Sequence, residues 1–484
     1  MTAPFDHPQA TVAEQPATLG VAAAARAIRN GDISSESYAH ALLRRAHDHA
    51  DLNAFISIDG PAVLEAARAA DLARADGADA PLLGVPIGIK DSYLTRGLRT
   101  TLGVSNLGDF VPDHDAGAVA AIRNAGGIVF GKNNLVEMSY GLTGDNAAHG
   151  RVHNPHRRGH VTGGSSSGSG AAVAARLVPA SLGGDTIGSI RVPASLCGVV
   201  GFKPTTGRWP RDGVAPISHT LDTTGVLARS VEDCALIDAV VTGAPAAGDY
   251  VAHDLQGMRL AVAPRQFLDG VAADVEARFH DTVRRLLEAG ADIVEVDLGA
   301  DFMTLAQETT WNIFFRETRQ AVIDFVARHG VPAGFDDIHR DLKPGLKATW
   351  ARFVLPDGPG FLSARDYETA VGRARADIAR RYHEVFAARG AAALILPTTP
   401  CTAPSIEHED AFFIGDRAVD FRALASHTIP ASAAGLPGIS IPIGLSAGRL
   451  PIGLEIDGPL GADRALLHLA RRIEAVTGAL SSPI

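Results

Sequence analysis

The chain has 484 residues, of which 46% are hydrophobic and 20% are charged, and it contains 51 glycines and 28 prolines. This composition is typical of a globular protein with a large buried core and excludes a disordered or fibrous chain. A formal net charge of -10, without a long run of Lys or Arg, argues against nucleic acid or anionic membranes as partners.

The three cysteines, Cys197, Cys234 and Cys401, lie far apart and form neither a metal-ligand spacing nor a disulfide framework. We therefore expect buried, reduced thiols, no metal and a cytoplasmic location. Residues 1–15 contain no basic segment followed by an apolar one, and no later stretch reaches the roughly 18 apolar residues of a membrane span. These patterns predict neither a signal peptide nor a transmembrane helix.

The first predicted elements are two helices. Residues 21–28 are rich in alanine and are followed by Asn30 and Gly31, which terminate helices, and Ser34 can cap the next helix. Short apolar runs bounded by Gly or Pro, which suit buried strands, then alternate with helical patterns such as 118–124. The runs are 82–89, 127–130 and 393–396. This alternation predicts an α/β fold with a mixed or parallel sheet covered by helices.

The stretch 301–389 is mostly helical in pattern and rich in aromatic residues, and we interpret it as an inserted cap. Gly435 begins a return to Gly, Pro and β-branched residues, and Asp463 starts a final helix that ends at Gly478. We expect residues 1–484 to form a single domain with this insertion.

A segment rich in glycine and serine, 162–170, reads TGGSSSGSG. A flexible linker is one interpretation, but a buried helical pattern follows it. A phosphate-binding loop would end in Gly-Lys-Ser/Thr, whereas these glycines lead into alanines. The letters also contain G-x-S-x-G around Ser166, which would indicate a Ser-His-acid esterase using a later histidine such as His427 or His468. Residues 157–160, however, do not resemble the strand that such an elbow requires.

A second segment, 183–193, reads GGDTIGSIRVP and places Ser189 after a tight turn. Consecutive backbone N–H groups in such a turn can converge on one point and bind the oxyanion of a tetrahedral intermediate. An ordinary polar turn between two elements is the alternative interpretation.

A third segment, 84–91, reads GVPIGIKD and ends an apolar run with Lys90. An amine held among apolar groups has a lowered pKa and can act as a general base. The alternative is a lysine that simply reaches solvent at the end of a strand.

Together and in this order, the three segments resemble the amidase signature family. The resemblance implies a Ser-Ser-Lys triad with Ser189 as nucleophile, Ser165 as proton relay after a cis peptide bond to Gly164, and Lys90 as base. It also implies a large mixed, mostly parallel sheet with helices on both faces. Further similar stretches are 131–137, 201–205, 396–400 and 435–438, so the resemblance spans nearly the whole chain.

The resemblance further implies an oxyanion hole made by the backbone N–H groups of Thr186, Ile187 and Gly188. The family usually has two glycines before the nucleophile, and Ile187 replaces the first of them. These amides can serve only if Ile187 avoids a positive φ, which is costly for a β-branched residue. We expect Asp185 and Arg191 to hold the loop as an ion pair.

The substrate is less specifically indicated than the triad. Trp311, Phe314 and Phe315, at helical spacing, and Met138 are candidates for an apolar acyl pocket, although such a stripe also fits a helix core. The segment 215–223 resembles the branch that acts on indoleacetamide and mandelamide.

The hypothesis is therefore hydrolysis of a small to medium aryl or arylalkyl amide to the acid and ammonia, without a cofactor. The alternative is the glutamine-hydrolysing component of a tRNA-dependent amidotransferase, which works inside a complex. A second copy of the chain is a further candidate partner.

Overall fold

Thirteen strands are present in the computed structural model, which describes residues 16–245 and 254–484. In chain order they are β1 Phe55–Ser57, β2 Pro86–Lys90, β3 Ile128–Asn133, β4 Ala180–Asp185, β5 Val200–Lys203, β6 Thr223–Ala228, β7 Arg259–Val262, β8 Asp292–Glu295, β9 Ala393–Pro397, β10 Phe412–Ile414, β11 Arg417–Val419, β12 Gly438–Leu445 and β13 Pro451–Asp457. Residues 1–15, on which the prediction of no signal peptide depends, lie outside the described residues.

Eleven of these strands form one sheet in the order β1-β3-β2-β4-β6-β5-β12-β13-β9-β7-β8, and β10 pairs with β11 as a separate hairpin. Pairing is parallel from β3 through β2 to β4 and from β9 through β7 to β8. The strands between β4 and β9 pair antiparallel, as do β1 and β3. The prediction of an α/β mixed sheet is confirmed, but the detail that it is mostly parallel is wrong.

Sixteen α-helices accompany the strands in the described residues. They are α1 Val21–Asn30, α2 Ser35–Asp48, α3 Gly60–Ala75, α4 Gly117–Asn124, α5 Ser167–Ala174, α6 Arg191–Cys197, α7 Val231–Thr242, α8 Pro264–Phe267, α9 Ala273–Glu288, α10 Phe302–His329, α11 Phe335–Asp341, α12 Pro344–Phe353, α13 Ala364–Glu368, α14 Arg375–Arg389, α15 Ile429–Ala434 and α16 Asp463–Thr477. None of the described helices is long and apolar enough to cross a membrane.

The predicted start and stop signals act where the sequence places them. Gly31 follows α1 with φ 79°, a left-handed conformation that suits glycine. The Ser34 side chain accepts a hydrogen bond from the backbone N–H of Ser37 at 3.0 Å and so caps α2.

The apolar core has two parts. One lies along the sheet and the helices packed on it, and includes Ile89, Leu182 and Ile439. The other joins the helices between 302 and 389 to the loops beside the sheet, and includes Ile187 and Phe314. This helical segment follows β8 and precedes β9, as its sequence pattern predicts.

The site is positioned by the ends of two neighbouring strands. β2 and β4 are parallel, with Gly88 opposite Ser181 and Ile89 opposite Leu182. Because the carboxyl ends of parallel neighbours meet at one edge of a sheet, Lys90 and Asp185 lie on the same side.

Candidate active site

Lys90 is buried at the end of β2, with a relative exposure of 1%. Its Nζ donates a hydrogen bond to Ser165 Oγ at 2.7 Å. Burial lowers the pKa of Lys90 to about 7, although the carboxylates of Asp185 and Asp222 partly oppose this shift. Near neutral pH the amine is therefore partly uncharged and able to accept a proton.

Ser165 precedes α5 and is joined to Gly164 by a cis peptide bond. Its carbonyl accepts a hydrogen bond from the N–H of Val136 at 3.2 Å, and its hydroxyl faces Lys90. A Cβ on Gly164 would approach the carbonyl oxygen of Gly141 to 2.8 Å. This loop therefore requires glycine before the serine.

Ser189 lies in the loop between β4 and α6 and is 4% exposed. Its backbone carbonyl accepts a hydrogen bond from the N–H of Ser166 at 3.2 Å. The two serine loops are therefore joined through their backbones, and the direct side-chain contact among the three predicted residues runs between Lys90 and Ser165.

Asp185 organises the 185–191 loop. Its carboxylate accepts hydrogen bonds from the N–H of Gly188 at 2.7 Å and of Ile190 at 3.2 Å. Arg191 donates Nε and Nη2 to it, each at 3.0 Å. Burial opposes ionisation of Asp185, but Arg191 and the hydrogen bonds outweigh it and hold the pKa of this carboxyl below its usual value.

The predicted oxyanion amides differ in their availability. Ile187 is absent from the described residues with positive φ, so its side chain is accommodated without a left-handed backbone. Gly188, in contrast, has φ 136°, and a Cβ there would lie 2.2 Å from Thr428 Oγ1. The Gly188 amide already donates to Asp185. The expectation that it donates freely with Thr186 and Ile187 therefore needs correction.

A cleft of about 580 Å³ opens beside Lys90 and Ser165. One wall carries Ile217, from the loop before β6, and the other carries Ala321 and Phe325, from α10. Polar and charged residues complete its lining, among them Asp185, Thr186, Arg211, Asp212, His219, Asp222, Asp324, Arg328 and His329. The cleft is thus apolar on two walls and carries charges of both signs elsewhere.

Asp222 and Glu317 fix the loop that carries Ile217. Asp222 accepts a hydrogen bond from Thr186 Oγ1 at 2.7 Å and from the N–H of Ile217 at 2.7 Å. Glu317, on α10, accepts from the N–H of Thr220 at 2.9 Å. The cleft wall is therefore tied both to the 185–191 loop and to the helical segment.

The predicted acyl pocket is wrong in its residues. Trp311 and Phe315 line a separate surface cleft of about 300 Å³. Phe314 is 3% exposed and packs against Tyr140, with ring centroids 4.7 Å apart. Met138 is likewise buried, with φ 48°. These side chains fill the helical core or a different cleft, because helical spacing alone does not distinguish core from pocket.

The alternative serine has backbone partners. Ser166 Oγ donates to the carbonyl of Gly184 at 3.2 Å and accepts from the N–H of the same residue at 3.3 Å. His427 Nδ1 lies 2.7 Å from the carbonyl oxygen of Pro397, and burial lowers its pKa to about 4. Ser166 and His427 therefore do not form a nucleophile–base pair.

Sequence reasoning missed two carboxylates behind the 185–191 loop. Arg191 Nη1 donates to Glu455 Oε1 at 2.8 Å, and Asp457 follows two positions later on β13. The signal was present in PIGLEID, where two acids at alternate positions interrupt an apolar strand. In the described residues no group of three or more His, Cys, Asp or Glu is arranged to hold a metal.

Comparison with known proteins gives consistent matches over nearly the whole chain. A family model described as Amidase matches residues 38–467. Mandelamide hydrolase of Pseudomonas putida is 36% identical over 483 residues, which are 96% of this chain and 92% of that protein. Indoleacetamide hydrolase of Pseudomonas savastanoi is 34% identical, over 94% of this chain and 95% of that protein.

A relative with a different activity is equally similar. It is the glutamine-dependent enzyme component named for glutamyl-tRNA(Gln) amidotransferase in Roseiflexus castenholzii, and it is 36% identical over 95% of this chain and 96% of its own length. Identity alone therefore does not separate the hydrolases from the amidotransferase.

A solved structure shares the architecture. The native peptide amidase from Stenotrophomonas maltophilia superposes with a TM-score of 0.79 at 29% sequence identity. The alignment covers 96% of this chain and 98% of that one.

Proposed function

The chain belongs to the amidase family and is an amide-hydrolysing enzyme; on that premise, we propose that it cleaves a small to medium aryl or arylalkyl carboxamide to the acid and ammonia. The observation that carries the proposal is the buried Lys90 amine, 2.7 Å from Ser165 Oγ. A lysine with a pKa near 7 is a suitable base at neutral pH.

In the proposed reaction, neutral Lys90 accepts a proton from Ser165, which accepts one from Ser189 as Ser189 Oγ attacks the amide carbonyl. The negative charge on the carbonyl oxygen rests on the amides of Thr186 and Ile187, because the Gly188 amide is bound to Asp185. Collapse of the intermediate breaks the C–N bond, and the relay returns a proton to the leaving nitrogen. Water then hydrolyses the Ser189 ester along the same path.

The cleft supports an aryl or arylalkyl acyl group. Ile217 and Phe325 face the cleft from opposite walls and are 3% and 5% exposed. Apolar walls beside a few polar groups are typical of sites for medium-sized organic ligands. We also propose that the helices between 302 and 389 act as a cap over the cleft, within one domain, because α10 supplies one wall.

The second candidate is glutamine hydrolysis inside an amidotransferase complex. It is favoured by the 36% identity to the Roseiflexus amidotransferase component, equal to the identity with mandelamide hydrolase. The two candidates share the triad and differ in the acyl group and in the need for partner chains.

A substrate panel on the purified chain separates them. Phenylacetamide, mandelamide and benzamide are compared with L-glutamine, and ammonia release is measured without any partner. Release from the aryl amides, with a trapped acyl adduct at Ser189 in mass spectra, is the expected result. Ammonia from glutamine alone would favour the second candidate, and an adduct at Ser166 would overturn the mechanism.

A further inference from the structure

Glu455 and Asp457 form a buried acid pair on β13. Both side chains have 0% exposure, and they point to the same face of the strand because they are two positions apart. A Cβ placed on Gly438, across from Asp457, would lie 2.8 Å from Glu455 Oε1 and 3.0 Å from Asp457 Oδ1. Glycine at 438 therefore leaves the two carboxyl groups room to approach each other.

Arg191 divides its charge between two carboxyl groups. Its Nε and Nη2 bind Asp185, Nη2 also donates to Ser432 Oγ at 2.7 Å, and Nη1 donates to Glu455 Oε1 at 2.8 Å. Asp185 also accepts two backbone N–H groups and so stays ionised. One guanidinium therefore faces the Asp185 carboxylate and the acid pair together.

No cation contacts Asp457 directly among the described residues. Its Oδ2 accepts the Tyr382 hydroxyl at 3.1 Å. Lys203, on the neighbouring β5, directs Nζ to the carbonyls of Pro204 and Leu436, and burial lowers its pKa to about 8. Asp457 Oδ1 and Glu455 Oε2 are buried and have no partner in the described structure. Two such acceptor oxygens are satisfied together if a hydrogen lies between them.

We propose that Glu455 and Asp457 share one proton at neutral pH, and that this singly charged pair holds Arg191 and, through it, the 185–191 loop. With one proton, the pair and Asp185 carry two negative charges opposite Arg191 and Lys203. With none, a third buried negative charge would lack a partner, which is strongly unfavourable. Burial raises the pKa of both carboxyls, and their proximity raises that of Asp457 further.

The pair acts on the site through two hydrogen-bonded steps. Glu455 holds Arg191, and Arg191 holds Asp185, which binds the amides of Gly188 and Ile190 on either side of Ser189. Glu455 and Asp457 are therefore positioning residues. This second half of the inference rests on the proposed function, whereas the shared proton does not.

Asp457→Asn tests the shared proton, since its amide donates to Glu455 without titrating. The folded wild type holds a proton that unfolded carboxyls release above about pH 5. Its free energy of unfolding should therefore fall more steeply between about pH 5 and 7 than that of Asp457→Asn, by the equivalent of one proton. Infrared spectra of the wild type should contain a buried protonated-carboxyl band that the variant lacks. Parallel unfolding curves, or no such band, would overturn the shared proton.

Asp457→Leu tests positioning, with Asp457→Asn as its rescue. We expect Leu to lower kcat on the best amide by at least about tenfold and Asn to stay within about twofold of the wild type. Loss in both variants would mean that an ionised Asp457 is required, and no loss in Leu would mean that the pair does not hold the loop. If Leu does not fold, the Asn measurements still decide the proton. If the wild type hydrolyses no amide, the proposed function fails while the unfolding and infrared results stand.

Discussion

Two regions border the cleft and are built from different interactions. At the carboxyl edge of β2 and β4, directed hydrogen bonds fix Lys90, Ser165 and Asp185. Across the cleft, α10 contributes Ala321 and Phe325, and its other aromatic residues pack among themselves, as in the 5.1 Å contact between Trp311 and Phe314. The first region depends on particular atoms and the second on shape and volume.

This difference decides how each region responds to substitution. Removing one atom from a relay of directed contacts removes a step of the reaction, whereas removing part of an apolar wall weakens substrate binding by the area lost. We therefore expect large effects on kcat at the sheet edge and smaller effects on KM across the cleft.

The largest effect is expected for Ser189→Ala, with Ser166→Ala as the matched control. Loss of the nucleophile should lower kcat/KM on the best amide by at least about 10⁴-fold. Ser166 Oγ binds the backbone of Gly184, so its removal should cost less than about tenfold. Initial rates of ammonia release measure both variants. The reverse ranking would assign the chemistry to Ser166.

The next effect concerns the charge of Lys90. Because its pKa is about 7, the amine gains a proton as the pH falls, and kcat/KM should decline below about pH 7 with a slope of one. Lys90→Met should lower kcat by about 10³-fold. The same shift makes the folded state relatively more stable as the pH rises from about 7 to 10, since the unfolded chain then loses the extra proton.

Lys132→Met is the control for burying any lysine near this edge. Lys132 is also fully buried, but its Nζ lies 3.2 Å from Asp91 and donates to the carbonyl of Tyr93 at 2.7 Å. Its loss should destabilise the fold by about 3–5 kcal/mol, because Asp91 is left without its cation. The midpoint of the pH profile should stay near 7. A shifted midpoint would show that Lys90 does not govern that titration.

The same contrast explains what the sequence could predict. Lys90 and Ser165 stand in segments whose residue types and order are specific, and the structure brings the two side chains together. Ile187 stands out in the sequence as the unusual residue of its loop, yet the amide already engaged is that of Gly188, because Asp185 turns back towards it. A partner choice of this kind depends on the path of the loop, which residue spacing does not give.

Packing and strand direction are harder to predict for a physical reason. Phe314 in the core and Phe325 on the cleft wall are apolar side chains of the same helix, and the sequence does not record what lies opposite each face. Likewise, an apolar run such as 393–396 predicts a buried strand but not its direction, and β9 pairs antiparallel with β13 and parallel with β7. Long connections hide that choice.

The smallest effects should separate the two apolar surfaces. Phe325→Leu shortens a wall of the cleft while keeping its apolar character, and should raise KM for an arylalkyl amide by about tenfold with kcat within about twofold. Acetamide, which is too small to reach the wall, should be hydrolysed by this variant as by the wild type.

Trp311→Leu is the matched change on the other surface. Trp311 is half-buried in a cleft that contains neither Lys90 nor Ser165, so both KM and kcat should stay within about twofold of the wild type. Loss of its contacts with Phe314 and Phe315 should lower the free energy of unfolding by about 1–2 kcal/mol. A KM change in Trp311→Leu equal to that in Phe325→Leu would return Trp311 to the acyl pocket and remove the distinction between the two surfaces.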